Sequence, residues 1–173
     1  LTNSPAKEPG SLVLGIDVGT GGALALLTPE GDLIEVADMP VLRVGSKNRP
    51  AVNAPLLADL IWKSHATVAF VEHVSARPGE GAVGTFAFGR SRGIIEGVLA
   101  AAGVPVTFVT APVWKRTLGL NFASKDAARS EAIRRWPNHA ALFARIRDDG
   151  RAESALIALA GILRGEIAGG QKP

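Results

Sequence analysis

Apolar residues fill the stretches 12–16 and 23–27 (LVLGI and ALALL) with no polar residue alternating in either. Runs of this kind predict strands buried on both faces, the first of them central in a sheet. Between them lie Asp17 and then Gly19, Gly21 and Gly22, which permit a tight turn or close approach of a ligand to the backbone. A third strand, residues 33–37, follows the turn signal Glu30-Gly31-Asp32, so the three form an antiparallel meander. Residues 40–55 are polar and irregular and read as a loop carrying Arg43, Lys47 and Arg49. Residues 54–65 carry Leu56, Leu57, Leu60 and Ile61 at helical spacing. Residues 67–71 are a fourth strand ending at Glu72. A glycine-rich loop over 75–84 leads into a helix over 86–102, stopped by Gly103. Residues 104–109 make a fifth strand and 112–118 a short helix carrying Trp114. Ser124 caps a helix that runs to Arg135, before Pro137, and a last helix spans 150–167 with Ala155, Leu156, Leu159 and Leu163 on its apolar face.

The fourth and fifth strands each arrive after a helix and should lie parallel to the first. The expected architecture is α/β: a mixed five-stranded sheet, a three-strand antiparallel meander plus two parallel strands, flanked by helices. That is the order of the ribonuclease H-like fold. Residues 1–11 are rich in Pro, Gly and Ser and read as a flexible leader or a processed end; 12–168 read as one domain and 169–173 as a flexible tail.

Composition narrows the chemistry. With 173 residues, 47% of them hydrophobic, the chain can bury a proper core. It has no cysteine, so any metal must be held by oxygen or histidine. No apolar run reaches the roughly 20 residues that cross a bilayer, and the expected location is the cytoplasm of a bacterium or phage-infected cell, or an organelle. Residues 115–151 hold nine Lys or Arg (Lys115, Arg116, Lys125, Arg129, Arg134, Arg135, Arg145, Arg147, Arg151) against four acids (Asp126, Glu131, Asp148, Asp149). Such a local excess suits a polyanion, or else a solvated helix surface.

If the first and fourth strands are adjacent and parallel, Asp17 and Glu72 meet at one edge of the sheet. Two carboxylates there repel unless a cation or proton sits between them. Asp149 and Glu153, four apart, project from one face of the last helix if it starts early enough. Four oxygen donors of this kind describe a site for Mg²⁺ or Mn²⁺, and two such ions clamp a phosphodiester for hydrolysis. Taken singly, each acid has a plainer reading: a hairpin tip for Asp17, an Arg90 or Arg92 partner for Glu72, a helix cap for Asp148 or Asp149.

GIDVGTGGALALL, VAFVEHV and RDDGRAESALIALAG, at residues 15–27, 68–74 and 147–161, resemble the three acidic motifs of RuvC-type Holliday junction resolvases, most closely the phage-like branch and plant chloroplast resolvases. Stretches around Phe86 to Arg90, Ala111 to Arg116 and Ser124 to Asp126 match as well. The resemblance implies that Asp17, Glu72, Asp149 and Glu153 are the metal-binding catalytic set, and leaves Asp148 open as an alternative to Asp149 because the spacing to Glu153 departs from the bacterial pattern. It implies a homodimeric crossover junction endodeoxyribonuclease of DNA recombination and repair that nicks a four-way junction symmetrically with two Mg²⁺ or Mn²⁺ ions and no other cofactor. Lys125 and Lys115 match lysines near the scissile phosphate. For DNA binding the candidates are Lys115, Arg116, Lys125, Arg77, Arg90 and Arg92, with Phe86 and Phe88 as aromatics that stack on unpaired bases. Trp62, Trp114 and Trp136 read as core or dimer anchors. The competing readings are a nuclease acting on RNA or RNA–DNA hybrid, a branched-DNA binder that does not cut, and a fragment of an actin-like or sugar-kinase ATPase, whose phosphate loop GIDVGTGG also resembles.

Overall fold

A computed structural model describes residues 11–75, 79, 81–121 and 126–165. Arg77, Ser124 and Lys125, each singled out by the sequence, lie outside the described residues.

Strands β1 (Leu12–Ile16), β2 (Ala23–Leu27) and β3 (Leu33–Asp38) form the expected meander. A small hairpin, β4 (Val41–Val44) and β5 (Arg49–Val52), precedes helix α1 (Ala54–Ser64). Strand β6 (Ala66–Glu72), helix α2 (Ala82–Ala101), strand β7 (Val106–Val109) and helices α3 (Ala111–Thr117), α4 (Ala127–Arg135) and α5 (Asp149–Leu163) complete the order, with 3₁₀ turns between α4 and α5. The main sheet has the order β3-β2-β1-β6-β7, with β1–β6 and β6–β7 parallel. This is the mixed five-stranded sheet flanked by helices that the hydrophobic pattern predicts.

Alternation along β1 and β6 divides the core into two layers. Val13, Val68 and Phe70 face α5, Trp114 and Phe143, while Leu14, Ile16, Ala69 and Val71 face α1 and α2. Every residue of α5 from Ala152 to Gly161 except Glu153 is buried. A helix buried on nearly all sides must be apolar nearly all round, as ALIALAG is. Its approach to β1 depends on Gly15, where a Cβ would stand 2.1 Å from the Ser154 carbonyl.

The expected loop over 40–55 is instead the β4–β5 hairpin. Two four-residue strands are too short to show a period, and Pro50, tolerated because β5 is an edge strand, disguises one of them. Helix α2 begins at Ala82, four residues earlier than expected, since Gly81 serves as its N-cap and Gly84 is accommodated inside it. Helix α5 ends at Leu163 rather than 167, because Gly165 turns to a φ of 71°. Trp62 is 69% exposed and so no core anchor, whereas Trp114 and Trp136 are buried. Among the described residues, no helix is long and apolar enough to cross a membrane.

Candidate active site

Parallel pairing of β1 with β6 sets Ile16 opposite Val71, so the next residue of each strand, Asp17 and Glu72, emerges at the same edge. By alternation Asp17 continues the face of Val13 and Gly15, and Glu72 that of Val68 and Phe70. Both carboxylates therefore point to the layer that α5 covers, and α5 brings Glu153 there. The Asp17 carboxyl is pushed up to about 8, first by burial and then by the fields of Glu153 and Glu72, which outweigh the Val18 backbone N–H and Lys115. Glu153 is likewise raised, by burial first; Lys115 opposes this while Glu72 and Asp149 add to it.

Helix α3 supplies the donors. Trp114 is fully buried and its Nε1–H donates to Glu72 Oε1 at 3.2 Å. The ammonium of Lys115 lies 3.7 Å from Glu153 Oε1 and 5.0 Å from the Trp114 ring centre. Trp114 is a residue whose part in the site the sequence does not reveal; the signal available was that a buried indole N–H must find an acceptor. Gly150 is another. A Cβ there would stand 2.6 Å from the Gly21 carbonyl and 3.0 Å from Asp17 Oδ2, so only glycine lets the start of α5 reach the loop behind Asp17.

The two acids before Gly150 part company. Asp148 is 1% exposed and accepts from the Arg145 backbone N–H at 2.9 Å and from its guanidinium at 2.8 Å, which hold its carboxyl below the usual range. Asp149 is half-exposed at the mouth of the site, accepts from Arg129 Nε at 2.7 Å, and lies close enough to raise Glu153. Arg129 also pairs with Asp126. Of the two, Asp149 is the one in electrostatic reach of the cluster.

The remaining candidates spread out. Arg116 and Arg90 are exposed, and Phe86 is 75% exposed near the start of α2. Phe88 is half-buried, packs with the α1–α2 layer and approaches Gly19, so it serves the core more than an open stacking surface. Arg92 is committed within the fold: it pairs with Glu96, donates to the Val74 carbonyl at 2.9 Å and lies over the Phe108 ring. Neither Arg90 nor Arg92 is the partner of Glu72; Trp114 is.

An all-oxygen donor set suits a hard cation. Among the described residues no three acidic or histidine side chains stand close enough to enclose one ion. Mg²⁺ keeps several waters and is bound through one or two carboxylates together with substrate phosphate, so it does not require three of these acids to converge.

No protein-family model and no curated protein matches the sequence. Solved structures do match. Thermus thermophilus RuvC in complex with a Holliday junction substrate aligns with a TM-score of 0.63 at 16% identity, over 91% of this chain and 96% of that one. A second Thermus thermophilus RuvC structure gives 0.61 at 20% identity, over 90% and 95%. The yeast mitochondrial Holliday junction resolvase gives 0.53 at 15% identity, over 95% and 84%. With its sheet order, its helices and this likeness along nearly the whole chain, the protein has the fold of the RuvC-type Holliday junction resolvases.

Proposed function

We propose that the chain is a structure-selective endonuclease that resolves four-way DNA junctions by divalent-metal-dependent hydrolysis, acting as a homodimer. The observation that carries this reading is the meeting of Asp17, Glu72 and Glu153, from three separated elements, at one sheet edge, where Lys115 pairs with Glu153 at 3.7 Å. Carboxylates crowded against each other destabilise the fold unless a cation is to be bound. A pure DNA binder would gain nothing from negative charge where phosphates must sit.

In this reading Asp17, Glu72, Glu153 and Asp149 would hold the ions, with Asp149 drawn from its pairing with Arg129. A bound divalent ion would neutralise the scissile phosphate and lower the pKa of the attacking water. Trp114 fixes the orientation of Glu72 by donating to Oε1, which leaves the second oxygen without that donor. Burial of Asp17 beneath Gly150 keeps its carboxylate from being solvated in place of the ion. Lys115, and Lys125 from the segment outside the described residues, offset charge that builds up on the phosphate in the transition state.

The test is a comparison of labelled four-way junction, linear duplex and RNA–DNA hybrid with Mg²⁺, with Mn²⁺ and with chelator. Paired symmetric nicks in the junction that need either ion, with duplex spared, are the expected result. Cleavage of hybrid in preference to junction would replace the proposal with a ribonuclease, and binding without any cleavage would leave a branched-DNA binder.

A further inference from the structure

The segment between β3 and α1 has a one-sided charge balance. Residues 39–58 include Arg43, Lys47 and Arg49 and not one Asp or Glu. The segment folds as the β4–β5 hairpin, a two-stranded sheet of its own beside the main one. Its turn is built on Gly45 and Asn48, at φ of 68° and 49°, with the Asn48 N–H donating to the Gly45 carbonyl at 3.0 Å and Lys47 inside the turn. Arg43 opposes Pro50 while Arg49 opposes Val44, so alternation sends the two arginines to opposite faces. Positive charge thus surrounds the tip. All three side chains are exposed, and among the described residues none has a carboxylate partner; Arg43 donates to the Asn48 carbonyl at 3.2 Å.

Core formation explains little of this element. Only Ala51 and Val52 of its eight strand residues are buried. Its root, by contrast, is tied to the candidate active site. The Met39 N–H donates to the Gly22 carbonyl at 2.9 Å, and Gly22 packs directly on Asp17. The Asn53 N–H closes the base on the Pro40 carbonyl at 2.8 Å. On the far side, a groove of about 170 Å³ between the hairpin and α2 is lined by Val44, Arg49, Pro50, Phe86 and Arg90. Cations on both faces of the tip are a poor centre for a protein interface, which is depleted in charge. They suit a phosphate backbone, which is contacted by charge alone.

We infer that the β4–β5 hairpin grips the backbone of a DNA arm through Arg43, Lys47 and Arg49, and that its bond to Gly22 places this grip relative to Asp17. The inference rests on the junction-nuclease reading and adds to it the place where DNA is held away from the reacting phosphate. None of the three residues belongs to the acidic cluster, so the hairpin contributes affinity and placement and not chemistry.

The experiment measures binding of a labelled four-way junction in chelator as a function of salt, for the full chain and for the combined Arg43→Ala, Lys47→Ala, Arg49→Ala variant. Each lost phosphate contact removes about 0.9 from the slope of log affinity against log salt, so loss of two or three contacts makes the variant's slope shallower by about 1.8 to 2.7. Its affinity deficit is then roughly 12- to 40-fold larger at about 50 mM than at about 200 mM salt. Lys47→Ala alone, in an exposed turn that the fold does not depend on, lowers the slope by about 1. If the parent protein binds the junction and both variants keep its slope, the hairpin inference is overturned and the nuclease reading stands. If the parent binds neither junction nor duplex, both fall together.

Discussion

Two sets of acids flank the glycine loop at residues 19–22, and they are treated in opposite ways. On one side Asp38 and Asp148 are saturated by arginine: Arg151 donates to both oxygens of Asp38, at 2.5 and 2.7 Å, and Arg145 forks onto Asp148. Their carboxyls are pulled below the usual range. On the other side Glu153 has the Lys115 ammonium at 3.7 Å and Glu72 an indole N–H, and Asp17 is driven far upward. The chain does not lack arginines to place there; it places them elsewhere. Acids that a protein has neutralised hold its shape, while acids it leaves crowded and unneutralised are free to bind something else.

The largest effect that sharpens this contrast is on cleavage. Asp17→Asn removes the central charge of the crowded set and should lower the metal-dependent cutting rate at least about 10³-fold, the loss of several kcal/mol of ion-mediated stabilisation, while junction binding persists. Cutting at the parental rate would remove Asp17 from the site. Next in size is a stability effect on the saturated set. Asp148→Ala strands the Arg145 backbone N–H and costs about 2–3 kcal/mol in denaturant unfolding, with the cutting rate of folded protein within about threefold. Should it abolish cutting at unchanged stability, Asp148 and Asp149 would exchange roles.

The smallest effect is one of sign against pH. Folded Asp17 titrates at about 8 against 3.8 for the free side chain, so the folded, metal-free protein retains a proton that the unfolded chain has released. Stability in chelator should therefore fall as pH rises from about 4 to about 8, and Asp17→Asn should flatten that fall. Asp148 works the other way: its carboxyl lies below 3.8 in the fold, so its contribution is present above that value and lost as acid carries the pH through the folded value. Melting temperatures measured in chelator from about pH 2 to about pH 8, and again with Mg²⁺, separate the two. A midpoint that climbs steadily from pH about 5 to about 8 without metal would contradict the assignment for Asp17.

Legibility in the sequence followed the strength of each pattern. The long uninterrupted runs of β1 and β2 and the β-branched run of β6 announced their strands, because burial on both faces leaves no room for polar residues. The hairpin 41–52 was hidden by its short strands and by Pro50. Trp114 was visible as a core residue but not as a donor to Glu72, since the two are 42 residues apart and only the packing of α3 beside β6 joins them. Arg92, read as a DNA contact, turned out to serve Val74 and Glu96, because exposed arginines look alike until their neighbours are known.

By itself the sequence determined the order of strands and helices, the absence of thiolate chemistry, and the positions of Asp17 and Glu72 at strand ends, all of which follow from local periodicity and residue type. Only the tertiary structure decided which acids meet. That outcome depends on parallel register between β1 and β6, on the close approach of α5 that Gly15 and Gly150 allow, and on which arginine reaches which carboxylate, and contacts between distant segments are written in no single stretch of chain.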